Sequence, residues 1–372
     1  MILAVLYLFF VVQCNKHIGN PNTYLILLLA VYTSVTLISF LSHDFSRNIS
    51  LAIKVLVVWF AYSFFISYLW DASYQEKFIK YATNIAIVAN ILLLMQFIAV
   101  SLGFHNFFNG NIPFLQLSKY NNFAELIDPN TGDTRVSSFF QEPSYFGIYC
   151  LPVFAQAIKD EKYKLSIFLF IGLIFSTSLL SILGGILVLL FLFFTYRTKE
   201  NYFWRLWGKI ALYSLLTLLL ISALYNFNSF TRNTIDYAFN RVTLIDSELQ
   251  GYRLASSKIR LIGYLELYPE YSTFHKIFGA GASQFSLLLS NYGVLPYSST
   301  YITSLLNYGL IGFFAFNLWV LILLFKCKPD RKVFVLILFT ICLVDNFWFN
   351  WYFFYILTWF MPELQKTNKL YY

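Results

Sequence analysis

LSIFLFIGLIFSTSLLSILGGILVLLFLFFTY, Leu165–Tyr196, contains no charged residue. At 1.5 Å rise per residue, one helix of this length would overshoot a hydrocarbon core of about 30 Å. The hydroxyl-bearing residues between Ser176 and Ser181 interrupt the apolar run near its middle, so the stretch reads as two spans joined by a tight reversal. A chain that crosses and returns in this way is polytopic, and its flanks should show on which side it turns. They do: KDEKYK (Lys159–Lys164) holds three lysines, and RTKENYFWRLWGK (Arg197–Lys209) is rich in Lys and Arg. Lys and Arg near span ends hold short loops in the cytoplasm.

The rest of the sequence agrees with a membrane setting. It is 59% hydrophobic and 21% aromatic with only 12% charged residues, against roughly 25% charged in ordinary soluble domains. Tyr24–Ser42, Ile49–Trp70, Ala82–Phe104, Lys209–Tyr225 and Tyr301–Phe325 approach the ~20 apolar residues a span needs. KCKPDRK (Lys326–Lys332) is a second cytoplasmic anchor, and residues 333–361 read as two short spans about Asn350. The N-terminal MILAVLYLFFVV lacks a basic leader and reads as a short first span. Alternating inward and outward turns predicts an all-α, polytopic integral membrane protein of about 11 transmembrane helices, with residues 1–372 as one domain. DASYQEKFIK falls in a cytoplasmic loop on this map. The net charge of +8 is explained by those loops, and no basic patch on a presenting fold points to nucleic acid. None of Cys14, Cys150, Cys327 and Cys342 lies in a long external loop, so no structural disulfide is expected.

Two long loops, residues 105–143 and 226–298, fall outside and hold nearly all the polar sequence a span cannot use. Loops of this length are uncommon without a function. The first ends in RVSSFFQEPSYFGIYC (Arg135–Cys150), where Pro143 suits the first position of a helix and Glu142 its cap. Glu142 is there a candidate general base, a candidate anchor for an arginine, or a plain helix cap beside an interfacial Arg135. The second loop contains LQGYRLASSKIRLIGYLELYPEY. As a helix it would set Arg253, Ser257, Arg260 and Tyr264 on one face and Leu254, Leu261, Leu265 and Tyr268 on another. The forked donors of two arginines suit phosphate oxygens; snorkelling cations on a surface helix are the plain alternative. Five acids in the same loop keep it from being a strongly basic funnel. FGAGASQF (Phe278–Phe285) has no preceding strand pattern and no third glycine, so it reads as a turn and not a dinucleotide fingerprint. No ATPase-type phosphate loop occurs, the four histidines are scattered, and neither a metal nor another cofactor is expected. With no ATP or nucleotide-sugar supplied outside, transfer there needs a preactivated substrate, and a lipid-linked pyrophosphate fits.

RVSSFFQEPSYFGIY resembles the arginine, aromatic, Glu-Pro-Ser and glycine signature that precedes a span in bacterial O-antigen polymerases of the Wzy type. FGAGASQF followed by STYITSLLNYGLIGFFAF resembles that family's glycine turn and the span ending at Gly309–Gly312. The similarity runs from about Arg135 to Phe316, roughly half the chain. It implies a glycosyltransferase of the bacterial inner membrane that moves a growing glycan from undecaprenyl pyrophosphate onto a lipid-linked repeat unit, alongside a chain-length regulator in the same membrane. Arg135 and Glu142 match the first signature; Arg253 and Arg260 match the arginines before the glycine turn. The related O-antigen ligases place a histidine-asparagine pair before the GLIG span. Here that position falls near Ser298–Thr300, which disfavours ligase and leaves a polymerase's base unassigned. A lipid-linked oligosaccharide flippase would place working charges within its spans; here the spans are nearly charge-free apart from Lys54 and Asp345.

Overall fold

A computed structural model describes residues 23–40, 72–104, 126–128, 133–134, 136–140, 142–196, 208, parts of 222–236, 265, 267–281, 298–345 and 351–360. In chain order the elements are α1 (Thr23–Phe40), α2 (Ala72–Ser101), β1 (Leu126–Asp128), β2 (Asp133–Thr134), α3 (Pro143–Lys159), α4 (Tyr163–Phe175), α5 (Leu179–Tyr196), α6 (Thr273–Phe278), α7 (Thr300–Lys326), α8 (Lys332–Val344) and α9 (Trp351–Leu357). The described chain is helical apart from the β1–β2 ladder, an antiparallel pairing of Leu126 with Thr134 and Asp128 with Asp133 inside the first long loop. Two helical stretches, Gln75–Ser101 and Thr300–Lys326, are long and apolar enough to cross a membrane.

The chain divides into two compact units, residues 77–249 and residues 1–76 with 250–372. In the first, α3 packs on both α4 and α5. The expected break in the 165–196 run is there: α4 stops at Phe175, α5 starts at Leu179, and Thr177 turns the chain with φ of 53°. Two close approaches give the packing its direction. A methyl group at Gly147 would overlap the Ser181 hydroxyl, and one at Gly184 would press on Leu151. Positions 147 and 151 thus meet 181 and 184 in the same order, so α3 and α5 run parallel.

α2 is longer than the sequence reading allowed. It begins at Ala72, so Ala72–Lys80, expected as part of a loop, forms its first turns. Backbone hydrogen bonds close within a helix whatever lies around it, so Glu76, Lys77 and Lys80 do not prevent a helix from starting beyond the apolar run. Ala82, Ala86, Ala89, Leu93 and Phe97 are buried, whereas Ile85, Val88, Ile91, Met95 and Ile98 are exposed. Both faces are apolar.

In the other unit α7 packs against α1, α6 and α8, and α9 against α8. The C-terminal pair of short helices is present, with the break opening at Asp345. α7 covers the stretch expected as a span over Tyr301–Phe325, and Gly309, with φ of 64°, kinks it. The amphipathic helix expected over residues 249–271 is described only at its end. There Tyr268 N–H donates to the Leu265 carbonyl at 3.1 Å and Tyr271 N–H to that of Tyr268 at 3.2 Å. These are three-residue turns and not a continuing α-helix, because Pro269 has no N–H to offer. Tyr268 and Tyr271 pack with Leu267 on Ile302 and Leu306 of α7.

Candidate functional site

Glu142 is the one predicted site residue that the described structure includes. Arg135, Arg253, Ser257, Arg260 and Tyr264 lie outside the described residues, as does Cys14. Pro143 opens α3 as expected, with Glu142 in extended conformation at the cap. Glu142 caps through its backbone: its carbonyl accepts from Tyr145 N–H at 3.1 Å. Its half-buried carboxylate takes no backbone N–H of the helix. It accepts from the Ser144 hydroxyl at 3.1 Å. Glu142 thus stands at the cap of α3, as expected, with its carboxylate bonded to Ser144 of the first turn and to no backbone N–H of the helix.

The segment before Glu142 is held in place by a residue that sequence reasoning missed. Ser138 has φ of 60°, a left-handed conformation that few non-glycine residues adopt. The Gln96 side chain of α2 clamps it from both sides. Gln96 Nε2 donates to the Ser138 carbonyl at 2.9 Å, and Ser138 N–H donates to Gln96 Oε1 at 2.7 Å. Next to Gln96, Phe97 packs its ring 4.4 Å from that of Phe175 at the end of α4. Phe140 stacks on Phe139 at 4.7 Å and leans on Phe146 and Tyr149 of α3. The aromatics of the signature thus set the angle at which the chain enters the helix.

Around this junction sit Ser138, Ser176, Thr177, Ser178 and Ser181, all under 5% exposed. Ser176 donates to the Leu173 carbonyl at 2.8 Å, closing α4. Among the described residues the hydroxyls of Ser138 and Ser181 have no hydrogen-bond partner, a costly state for buried polar groups that calls for a water or ligand. The signal in the sequence was the cluster STSLLS, which reads as a break and gives no hint of its partners.

The second motif resolves into a clasp. Ser272 caps α6 by accepting from His275 N–H at 3.3 Å, and Gly279 ends it with φ of 80°. Beyond it, Ala280 N–H donates to the Leu306 carbonyl at 2.9 Å and Gly281 N–H to the Asn307 carbonyl at 3.0 Å. These carbonyls are the ones left open where Gly309 breaks α7, so the FGAG turn fills the gap in the helix ladder. The fit admits no side chain on either strand of the clasp. A methyl group at Gly279 would overlap the Asn307 carbonyl, and one at Gly309 would overlap the Ile277 carbonyl and the Gly279 nitrogen. FGAG is a turn, as expected, and its partner is the first glycine of GLIG.

Below the clasp, Tyr32 of α1 donates to the Gly312 carbonyl at 2.7 Å. Its oxygen lies 2.8 Å from Ser304, which must then be the donor. Beside the clasp, burial pushes the Tyr271 phenol up to about 12. Cys150, Cys327 and Cys342 are buried free thiols, and among the described residues no three His, Cys, Asp or Glu side chains gather as metal ligands would. No family model, no curated protein and no solved structure matches the chain.

Proposed function

We propose that the chain is a multi-pass glycosyltransferase of the bacterial inner membrane that polymerises O-antigen or capsular repeat units on the periplasmic face. The observation that carries this reading is the clasp. Two short motifs that resemble the polymerase family, one following the other along the chain, are each other's backbone partners. Support for the membrane setting comes from α2 and α7. Leu310, Phe314, Leu318, Leu321 and Phe325 give α7 an exposed apolar stripe like that of α2. Soluble chains seldom expose such a surface, and lipid would cover it.

The donor in this reading is a growing glycan on undecaprenyl pyrophosphate, and the acceptor is the incoming lipid-linked repeat. An acceptor hydroxyl attacks the anomeric carbon, the bond to the pyrophosphate breaks, and the leaving group departs with the electron pair. Arg135, Arg253 and Arg260 stabilise that charge without a metal, with Ser257 and Tyr264 on the same helical face binding glycan or phosphate. A chain-length regulator in the same membrane is the expected protein partner. Deleting the gene and running the lipopolysaccharide on a gel tests the reading. One capped repeat per core is expected. Bare core would instead indicate a ligase or a flippase.

A further inference from the structure

Gly309 does more than bend α7. At 1.5 Å rise per residue a straight helix would hold Ser304 and Gly312 about 12 Å apart, and Tyr301 and Phe316 about 22 Å apart. Yet the Tyr32 hydroxyl lies 2.8 Å from the Ser304 hydroxyl and 2.7 Å from the Gly312 carbonyl oxygen. The Tyr301 ring centroid lies 5.5 Å from that of Phe316 and 5.7 Å from that of Phe339 in α8. Residues 300–308 therefore fold back alongside residues 310–316, with Gly309 at the tip of the hairpin. This leaves residues 310–326 to cross a membrane and makes the segment before them a half-helix that starts below the tip.

The apolar stripe of α7 sets the depth of that half-helix. Leu310, Ile311, Phe314, Leu318, Leu321 and Phe325 are exposed, so the stripe begins at the tip itself. From Phe325, beside the basic Lys326–Lys332 turn, up to Gly309 is about 24 Å, less than the roughly 30 Å of a hydrocarbon core. A half-helix at such a depth must have its ends closed by protein, since no water is there to do it. Both ends are. At the start, Thr300 donates to the Asp345 carbonyl from its N–H at 3.0 Å and its hydroxyl at 2.8 Å. Ser298 and Thr303 pair their hydroxyls at 2.6 Å, Ser299 accepts from Ile302 N–H at 3.3 Å, and all four residues are buried. At the end, the Leu306 and Asn307 carbonyls take the N–H groups of Ala280 and Gly281. The same clasp holds α6 at the level of the tip, where a methyl group at Gly309 would overlap the Ile277 carbonyl. Phe274 and Ile277 of α6 are exposed there, and exposed Glu270 and Ser272 precede the helix.

We infer that α6 and residues 300–308 are the membrane-embedded end of the second external loop. Phe274 and Ile277 lie against acyl chains of the outer leaflet, continuous with the stripe of α7, and the hydroxyl-bearing start of the half-helix lies below them in the hydrocarbon layer. Glu270 and Ser272 stand at the headgroups. The inference rests on the membrane setting proposed above and needs no particular reaction. A loop seated in this way meets a lipid-borne substrate at headgroup depth.

The experiment uses the full-length protein in nanodiscs of phosphatidylethanolamine and phosphatidylglycerol. A nitroxide-bearing keto-phenylalanine replaces Phe274, Ile277 or Leu310, one at a time, with Leu318 in the stripe and Lys328 in the basic turn as references. The readout is the ratio of nitroxide collisions with oxygen to collisions with a nickel chelate. Oxygen concentrates in acyl chains and the polar chelate is kept out, so the ratio at 274, 277 and 310 should match that at 318 and exceed that at 328 at least about tenfold. Wild-type protein, free of any substitution, gives a second reading in nanodiscs doped with a phospholipid that carries a diazirine in its acyl chain. After illumination, lipid adducts should appear on the peptide holding Phe274 and Ile277 as they do on the stripe of α7. Ratios at 274 and 277 like that at 328, or adducts on the stripe with none on α6, overturn the inference. A ratio at 318 that also matches 328 overturns the membrane setting itself, and the embedded loop with it.

Discussion

The two junctions that carry the sequence motifs are built on different principles. At the clasp, backbone meets backbone: N–H groups of Ala280 and Gly281 fill carbonyls freed in α7, and the glycines contribute only the absence of a side chain. At the head of α3, side chains do the holding: Gln96 clamps Ser138, phenylalanines set the approach, and Gly147 leaves room for Ser181. A backbone junction has no tolerance, since carbonyls cannot move aside without unravelling a helix. A side-chain junction can adjust rotamers and fill with water, as the buried Ser138 and Ser181 hydroxyls beside Glu142 require.

The largest effect should come from the clasp. Gly279→Ala and Gly309→Ala each force an alanine into a left-handed conformation, costing about 1–3 kcal/mol, and add an overlap with backbone that cannot rotate away. Either variant is expected to lose more than about 3 kcal/mol and to fall sharply in membrane abundance. Because both changes break one contact, the double variant should be little worse than either single one. Normal abundance of Gly279→Ala, read by immunoblot of membranes against wild type, would show that the clasp is not the rigid junction.

Next in size is Gln96→Leu. It removes two hydrogen bonds and leaves the buried Ser138 N–H and carbonyl unpaired, a loss of about 2–4 kcal/mol. Gln96→Glu keeps one of the two bonds but turns an oxygen toward the Ser138 carbonyl, so it should not rescue. A smaller loss, about 1–3 kcal/mol, is expected for Gly147→Ala against the Ser181 hydroxyl. Here the side-chain character of the junction allows a remedy: Ser181→Gly in the same protein should recover part of the stability. Thermal unfolding of the four variants in detergent measures both. If Ser181→Gly gives no relief, α3 and α5 do not meet as described.

How far these junctions were legible in the sequence follows the same division. The turn at FGAG, the helix start at Pro143 and the break near Ser176–Ser181 were readable because each is local: glycine, proline and hydroxyls act on their own stretch of chain. The kink at Gly309 was not, since a glycine in an apolar span says nothing of N–H groups arriving from residues 280 and 281 to complete the ladder. Gln96 was invisible for the same reason: its partner is 42 residues away, and an amide in a span has no local mark of duty. Asp345 stands out in the sequence as a charge in a nearly charge-free stretch. What it touches required the fold, because Thr300 comes from another helix.

The smallest expected effect on stability sharpens the comparison furthest, and it concerns Glu142. Its carbonyl caps α3 while its carboxylate accepts the Ser144 hydroxyl at the helix start, so Glu142→Gln should change stability by no more than about 0.5 kcal/mol. Activity should separate the roles still open to it. An anchor that orients Arg135 loses a charged hydrogen bond worth about 1.5–3 kcal/mol, hence roughly ten- to a hundredfold in rate. In that case Arg135→Lys should be nearly as damaging as Arg135→Ala, because lysine keeps the charge and not the fork. A general base would lose far more, up to about 10⁴-fold. Polymer length on gels and initial rates in nanodiscs give the readout, with each variant matched for abundance. A loss in the thousands for Glu142→Gln would make it the base, and a ten- to hundredfold loss the anchor of Arg135. Full-length polymer at full rate from both Glu142→Gln and Arg135→Lys would leave the head of α3 a structural junction like the clasp, and the difference between the two regions would then be one of construction alone.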